Sequence, residues 1–334
     1  MLQELTGQIM QGRDLSQPEA EAALETMLLD DTPDEAIASF LSALAMKGET
    51  SDEIAGFARV MRKHVVAIRS RHPNTVDTAG TGGGLDTFNI STTAAFVIAG
   101  AGLPVAKHGN RAITSRCGSA DLLSAMGINV TSCAEIAESC LNEIGLAFLF
   151  APLFHPSMKR VAGIRRQIGH RTVFNLLGPL TNPASAPFQI VGVYSPSLTE
   201  KLARSLGQLD CRRAWVVHSR DGLDELSTGA PTRISESGLD GVKTFDLDPV
   251  QFDLKPAEWS SLRGGTPEHN AEITHGILRG QVKGAARDVV VLNAAAAIHL
   301  AAGVDFCEAL RRAEESIDSG AAMEKAELLR RACS

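Results

Sequence analysis

Apolar residues recur at three- and four-residue intervals through the first seventy positions, as at Ile37, Phe40, Leu41, Leu44 and Ala45. That spacing lines one face of a helix. Ser16-Gln17-Pro18-Glu19 reads as a capping box with proline in the first turn. Thr32-Pro33-Asp34-Glu35 repeats the device with proline at the first helical position, and Thr50-Ser51-Asp52-Glu53 gives a third start. Gly48 ends the helix before it. Residues 1–70 are therefore predicted to form a small all-α unit, with the charged, proline-bearing residues 69–73 as a linker. Beyond the linker the period changes. Short apolar runs at 76–78, 105–106, 147–150, 189–194 and 214–218 predict buried strands. Helical patterns at 94–101, 119–126, 135–144 and 198–206 lie between them. This alternation predicts a mostly parallel sheet covered by helices. Residues 234–271 are polar and rich in glycine and proline, and read as a peripheral hairpin or insertion.

A parallel sheet places its ligands beyond the carboxyl ends of its strands. The unusual residues of this chain fall there. The first strand runs into Gly80-Thr81-Gly82-Gly83-Gly84-Leu85-Asp86-Thr87-Phe88-Asn89-Ile90-Ser91-Thr92, a glycine turn followed by the start of an alanine-rich helix. Such a turn presents successive amides to an anion. Its spacing fits neither the P-loop nor the dinucleotide fingerprint. The second strand runs into Lys107-His108-Gly109-Asn110-Arg111, and small residues including Ser115, Cys117, Gly118 and Ser119 precede the next helix. His155 follows the third strand, and Asp221-Gly222-Leu223-Asp224-Glu225 follows the fifth. Arg160, Arg165, Arg166 and Arg171 are expected on one helix, and Arg165 suits a carboxylate. Asn175–Pro183 reads as a hinge or rigid loop. Adjacent carboxylates at a strand end suit Mg²⁺, which keeps waters and borrows substrate oxygens. Together these segments predict a pocket for a phosphorylated small molecule.

Composition narrows the function further. The 334 residues are 44% hydrophobic and 21% charged, with a net charge of −7. One tyrosine, two tryptophans and the acidic balance argue against a nucleic-acid partner, which needs aromatic platforms or a basic face. The six cysteines have no C-x-x-C spacing, so reduced thiols and a cytoplasmic location are expected. Asn293 and His299 interrupt the longest apolar run, near 289–302, so no membrane span is expected. No nucleophile motif such as G-x-S-x-G is present, which favours a transfer achieved by positioning and charge.

The segments K-H-G-N-R at Lys107, F-N-L-L-G-P-L-T-N-P from Phe174 and D-G-L-D-E at Asp221, in this order, resemble the anthranilate phosphoribosyltransferases over nearly the whole chain. The resemblance implies a nucleoside phosphorylase/phosphoribosyltransferase-like α/β fold: a small all-helical domain plus a larger α/β domain with a mostly parallel central sheet. The small domain would span 1–70, with about 165–180 returning to it. The large domain would span 75–164 and 181–334. The same resemblance implies a homodimer formed through the helical part. The substrates would be anthranilate and 5-phosphoribosyl 1-diphosphate, with Mg²⁺ as cofactor, in tryptophan biosynthesis.

By that resemblance Gly80, Gly82, Gly83, Thr87, Asn89, Ser91, Thr92, Lys107 and Ser119 hold the phosphoribosyl diphosphate. Gly80, His108, Asn110, His155, Arg165 and Gly178 line the anthranilate path. Ser91, Asp224 and Glu225 hold the metal, and Lys107 and Arg165 act in catalysis. A related nucleoside phosphorylase would share the layout, but Asp224-Glu225 and the Asn175–Pro183 segment argue against it. The glycine turn departs from the family's Gly-Thr-Gly-Gly-Asp-Gly: Gly84 stands where the aspartate is expected and the loop is one residue shorter. Asp86 is the candidate substitute.

Overall fold

The computed structural model describes residues 1–112 and 116–334. The helices Leu2–Met10, Gln17–Met27, Asp34–Lys47 and Ser51–Lys63 pack through Leu5, Ile9, Leu24, Ile37, Phe40, Leu44 and Phe57. Capping boxes at Ser16 and Thr50 start the second and fourth helices as expected. The third start differs. Pro33 is the residue before the helix, and no side chain caps it. The Thr32 hydroxyl donates instead to the Thr26 carbonyl at the end of the preceding helix, which also accepts from the Leu29 amide.

The sheet comprises β1 (Val76–Gly80), β2 (Val105–Gly109), β3 (Leu146–Phe150), β4 (Phe188–Gly192), β5 (Arg213–Ser219), β6 (Thr232–Gly238) and β7 (Gly241–Leu247), in the order β3-β2-β1-β4-β5-β6-β7. The first five strands are parallel, and β6 and β7 add an antiparallel hairpin to the edge. The polar segment 234–271 is therefore only partly an excursion. Its first part completes β6 and forms β7, and the helix Pro267–Leu278 begins before it ends.

Side chains alternate across the sheet as the two-residue period requires. On β5, Ala214 and Val216 join the apolar cluster of the N-terminal helices, while Trp215 and Val217 face the helices Ile90–Gly100 and Ala285–Ala302. The second of these is long and apolar enough to cross a membrane, but Val289 to Ile298 are buried within the protein. Two helical expectations are modified. The pattern at 135–144 splits into a short helix, Ala134–Ser139, and a π-helical turn, Cys140–Ile144, closed by Gly145 in the left-handed region. The arginine-bearing helix is Lys159–Ile168 and stops at Gly169, with φ of 70°, so Arg171 lies beyond it.

Strand order reverses between β1 and β4: the chain builds outward through β2 and β3, then returns to the other side of β1. A crevice opens at the carboxyl ends of strands at such a point. The glycine turn leaves β1 there, and its Thr81 amide donates to Gly192 at the end of β4, at 2.9 Å.

Candidate active site

Gly80 ends β1 beside Gly192, and a side chain at Gly192 would overlap the Asp224 backbone. Gly82 and Gly83 take φ of 66° and 87°, which glycine adopts without a Cβ clash. Among the described residues, the amides of Gly82, Gly83, Gly84, Leu85 and Asp86 have no protein acceptor. Thr87 then bridges to Arg263, and the Phe88 amide donates to Leu262, which pins the far end of the turn. Five unspent amides before the helix Ile90–Gly100 form an anion cradle. Ser91 and Thr92 lie in that helix's first turn. Asn89 is already committed: its amide donates to the Cys117 carbonyl at 3.0 Å, and its oxygen accepts from Asn270 at 2.9 Å.

Lys107 on β2 is buried, its ammonium donating to the Thr78 carbonyl and to Ser91 Oγ at 3.3 Å. Burial lowers its pKa, and the charges of Asp77 and Glu225 oppose that shift. Asp77 is wholly buried in β1. It accepts from the His108 amide at 3.1 Å and from Asn182 Nδ2 at 2.7 Å. Burial pushes Asp77 up to about 6, against the pull of Lys107. On the acidic turn after β5, Glu225 is raised to about 8, chiefly by burial and next by Asp224, whose own pKa is also raised by burial. Asn293 holds this turn, accepting from the Leu226 amide at 3.0 Å and donating to the Leu226 carbonyl at 2.8 Å. Two crowded carboxylates fit a divalent cation, because a cation relieves the repulsion that raises them. Ser91 lies beside this pair and holds Glu225 down against that rise, so the three expected metal residues are neighbours.

Across the crevice, His108 Nδ1 lies 3.0 Å from the Gly178 carbonyl. A carbonyl only accepts, so Nδ1 carries the proton and Nε2 keeps its lone pair. The His155 ring stands 5.1 Å from that of His108, and the Nε2 atoms of both are buried without a partner. Burial pulls His108 down to about 3 and His155 to about 4, so both are neutral. Arg165 has its guanidinium 5.1 Å from the centre of the Phe174 ring. Burial lowers its pKa, and among the described residues no carboxylate of the protein pairs with it. Asn110 is exposed, with its backbone held by Ser119 Oγ at 3.2 Å. Ser115 lies outside the described residues.

The structure therefore places the glycine turn, Lys107, Ser91, Asp224 and Glu225 around one crevice, with His108, His155 and Gly178 beside Lys107. The carboxylate of Asp86 lies 3.6 Å from Arg116, and a side chain at Gly84 would overlap that of Asp224. Sequence reasoning gave no site role to Asp77, Asn182 or Asn270, and it placed Arg171 on the helix that carries Arg165. Asn293 was noted only as a polar break in an apolar run, which was the one signal available for it.

A helical bundle beside a sheet with an anion cradle and a carboxylate pair at its switch point defines a glycosyl transferase of two-part build. Residues 3–65 match the helical bundle domain of a glycosyl transferase family, and residues 72–323 match its a/b domain. The anthranilate phosphoribosyltransferase of Pelotomaculum thermopropionicum is 53% identical over 329 residues, covering 97% of this chain and 94% of that one. The enzyme of the same name from Moorella thermoacetica is 51% identical over 327 residues, covering 97% and 96%. The crystal structure of the Thermus thermophilus anthranilate phosphoribosyltransferase superposes with a TM-score of 0.92 at 38% identity, covering 98% of each chain. The Saccharomyces cerevisiae enzyme in complex with PRPP and Mg gives 0.90 at 31% identity, covering 99% and 97%. The chain belongs to the anthranilate phosphoribosyltransferase family.

Proposed function

We infer that this chain transfers the phosphoribosyl group of 5-phosphoribosyl 1-diphosphate to the amine of anthranilate, releasing diphosphate, in tryptophan biosynthesis. The observation that carries the reading is the pairing of two walls in one crevice. One wall offers unspent amides, a lysine and a crowded carboxylate pair; the other offers two buried, unpartnered histidine nitrogens.

The amides from Gly82 onward and the helix start at Ser91 and Thr92 would hold the diphosphate. Asp224, Glu225 and Ser91 would hold Mg²⁺, which when bound neutralises charge on the leaving diphosphate. Lys107 adds a buried positive charge beside the same oxygens, Ser119 would border the phosphoribosyl group, and Asn110 would line the anthranilate path. Preorganised charge of this kind acts most strongly where water is excluded. Arg165 would take the anthranilate carboxylate as a bidentate pair. The lone pairs of His108 and His155 would accept N–H bonds from the aromatic amine and so aim its nitrogen at the ribose C1, beside Gly80 and Gly178. As the C1–oxygen bond breaks, diphosphate leaves with the electron pair. The amine nitrogen bonds to C1 and gives up one proton. Holding both reactants in line supplies much of the rate enhancement.

Residues 1–70 with about 165–180 act in this reading as one body, hinged to the body of 75–164 and 181–334. A homodimer through the helical part and a cytoplasmic location complete it. The test is loss of anthranilate fluorescence with purified protein. A loss that requires both Mg²⁺ and phosphoribosyl diphosphate is expected. Phosphate-dependent release of a base from nucleosides, without anthranilate consumption, would overturn the reading in favour of a phosphorylase.

A further inference from the structure

Arg171 has no role in the scheme above, yet it touches the centre of the anion cradle. Its guanidinium lies 3.8 Å from the centre of the Tyr194 ring, and its Nη2 donates to the Gly83 carbonyl at 3.3 Å. A side chain at Gly83 would overlap that guanidinium, so the bare backbone of this glycine is what lets the arginine lie flat against the turn. Both supports of this contact are anchored. Thr172 is buried, and its amide donates to Asn175 Oδ1 at 3.0 Å. Tyr194 follows Val193, whose amide donates to Val217 at 3.0 Å and whose carbonyl meets His218 Nδ1 at 2.8 Å. The other partner is the exposed run Gly82–Gly84.

We propose that Arg171, seated on Tyr194, is a positioning residue that latches the glycine turn in its anion-binding shape and ties it to the chain leaving the helix that carries Arg165. A peptide group is planar and trans, so holding the Gly83 carbonyl also sets the direction of the Gly84 amide, which points the opposite way. Three successive glycines otherwise lose more backbone freedom on binding than any other residues would. The latch removes part of that loss before the ligand arrives, which strengthens binding without a contact to the ligand. It also spans the two substrates, because Arg171 follows Arg165 by six residues across the helix end at Gly169. A glycine at position 84 extends the freedom of the turn, so this chain gains more from a latch than one carrying a side chain there.

The inference rests on the transferase reading for its substrate but is tested by binding as well as turnover. Calorimetric titration of the whole protein with inorganic diphosphate and Mg²⁺ is the primary measurement. Arg171→Ala is expected to weaken diphosphate binding about tenfold, the joint effect of a cation–π contact and a hydrogen bond each worth a few-fold. Tyr194→Leu should weaken it in the same direction, Tyr194→Phe should match the wild type, and the double variant should be no weaker than Arg171→Ala. In turnover, KM for phosphoribosyl diphosphate should rise while kcat and the melting temperature stay near wild type. Unchanged diphosphate affinity in Arg171→Ala, or effects of the two single variants that multiply independently, would overturn the latch. A wild type that binds diphosphate but consumes no anthranilate would sink the transferase reading instead, and leaves the binding comparison decisive for the latch.

Discussion

Glu225 and Asp224 sit close enough, and deep enough, that Glu225 rises to about 8. Without a cation this pair strains the fold, and in the proposed reading a bound Mg²⁺ relieves that strain. Glu225→Gln is therefore expected to lower kcat by about a hundredfold, the scale for losing one preorganised electrostatic group. It should at the same time raise the melting temperature in metal-free buffer by a few degrees. Activity assays and thermal melts with and without Mg²⁺ check both halves, and a fall in both would argue for a merely structural glutamate. The histidines make a pH prediction. With His108 at about 3 and His155 at about 4, the unfolded chain binds protons below pH 6.5 that the folded chain refuses. The histidine contribution to stability is therefore lost as pH falls from about 6.5 towards 3. Asp77, raised to about 6, and Glu225, raised to about 8, bind their protons more tightly when folded and offset much of this loss. His108→Gln should flatten the decline, read from urea midpoints at pH 4.5 and 7. The lysine, glycines and acidic pair of this site were legible in the sequence because their chemistry is rare at strand ends. Asp77 was not, because one aspartate in an apolar strand carries no period or motif.

At the level of elements, the helix Ser51–Lys63 shows how a local signal acquires a distant use. Thr50 and Glu53 were visible as a capping box, and the box is formed, with the Thr50 amide donating to Glu53 at 2.7 Å. Glu53 is also fully buried, accepting from the Leu15 amide at 2.8 Å and pairing with Lys47 at 3.0 Å. One carboxylate thus joins three segments of the bundle. Removing it leaves two backbone amides without their acceptor and Lys47 with only Asp14 and the Gly48 carbonyl, so Glu53→Ala is expected to cost about 3 kcal/mol. A urea unfolding curve checks this; a cost below about 1 kcal/mol, the range of a cap alone, would mean the buried contacts contribute little. The helix Lys159–Ile168 shows the reverse case. Its arginines looked continuous with Arg171 along the sequence, but Gly169 turns the chain and sends Arg171 to the glycine turn instead of the helix face.

For the molecule as a whole, the sheet and its covering helices place the crevice between β1 and β4, and the helix Leu198–Gly207, packed on β5 and on the helix Ser51–Lys63, joins the bundle to that face of the sheet. The N-terminal helices leave Met10, Leu29 and Met46 exposed on that bundle. Sedimentation equilibrium is expected to give about twice the 35.4 kDa chain mass, in keeping with the proposed homodimer. A charged residue at Met46 should shift the equilibrium toward monomer if this face forms the contact. A monomer at every concentration would remove the dimer from the reading and leave the crevice intact.

By itself the amino-acid order determined the helical start, the alternation of strands and helices, the family and most of the residue types gathered at the candidate site. Each of these is written in local period, in caps and in side chains whose chemistry is uncommon. The tertiary structure alone decided that Asp77 braces the Lys107 turn, that Asn293 holds the acidic turn, that Asp86 faces Arg116, and that Arg171 reaches Gly83. These partners lie tens of residues apart or turn on side-chain direction. No period in the chain encodes their meeting, because it depends on which strand ends the sheet order brings together.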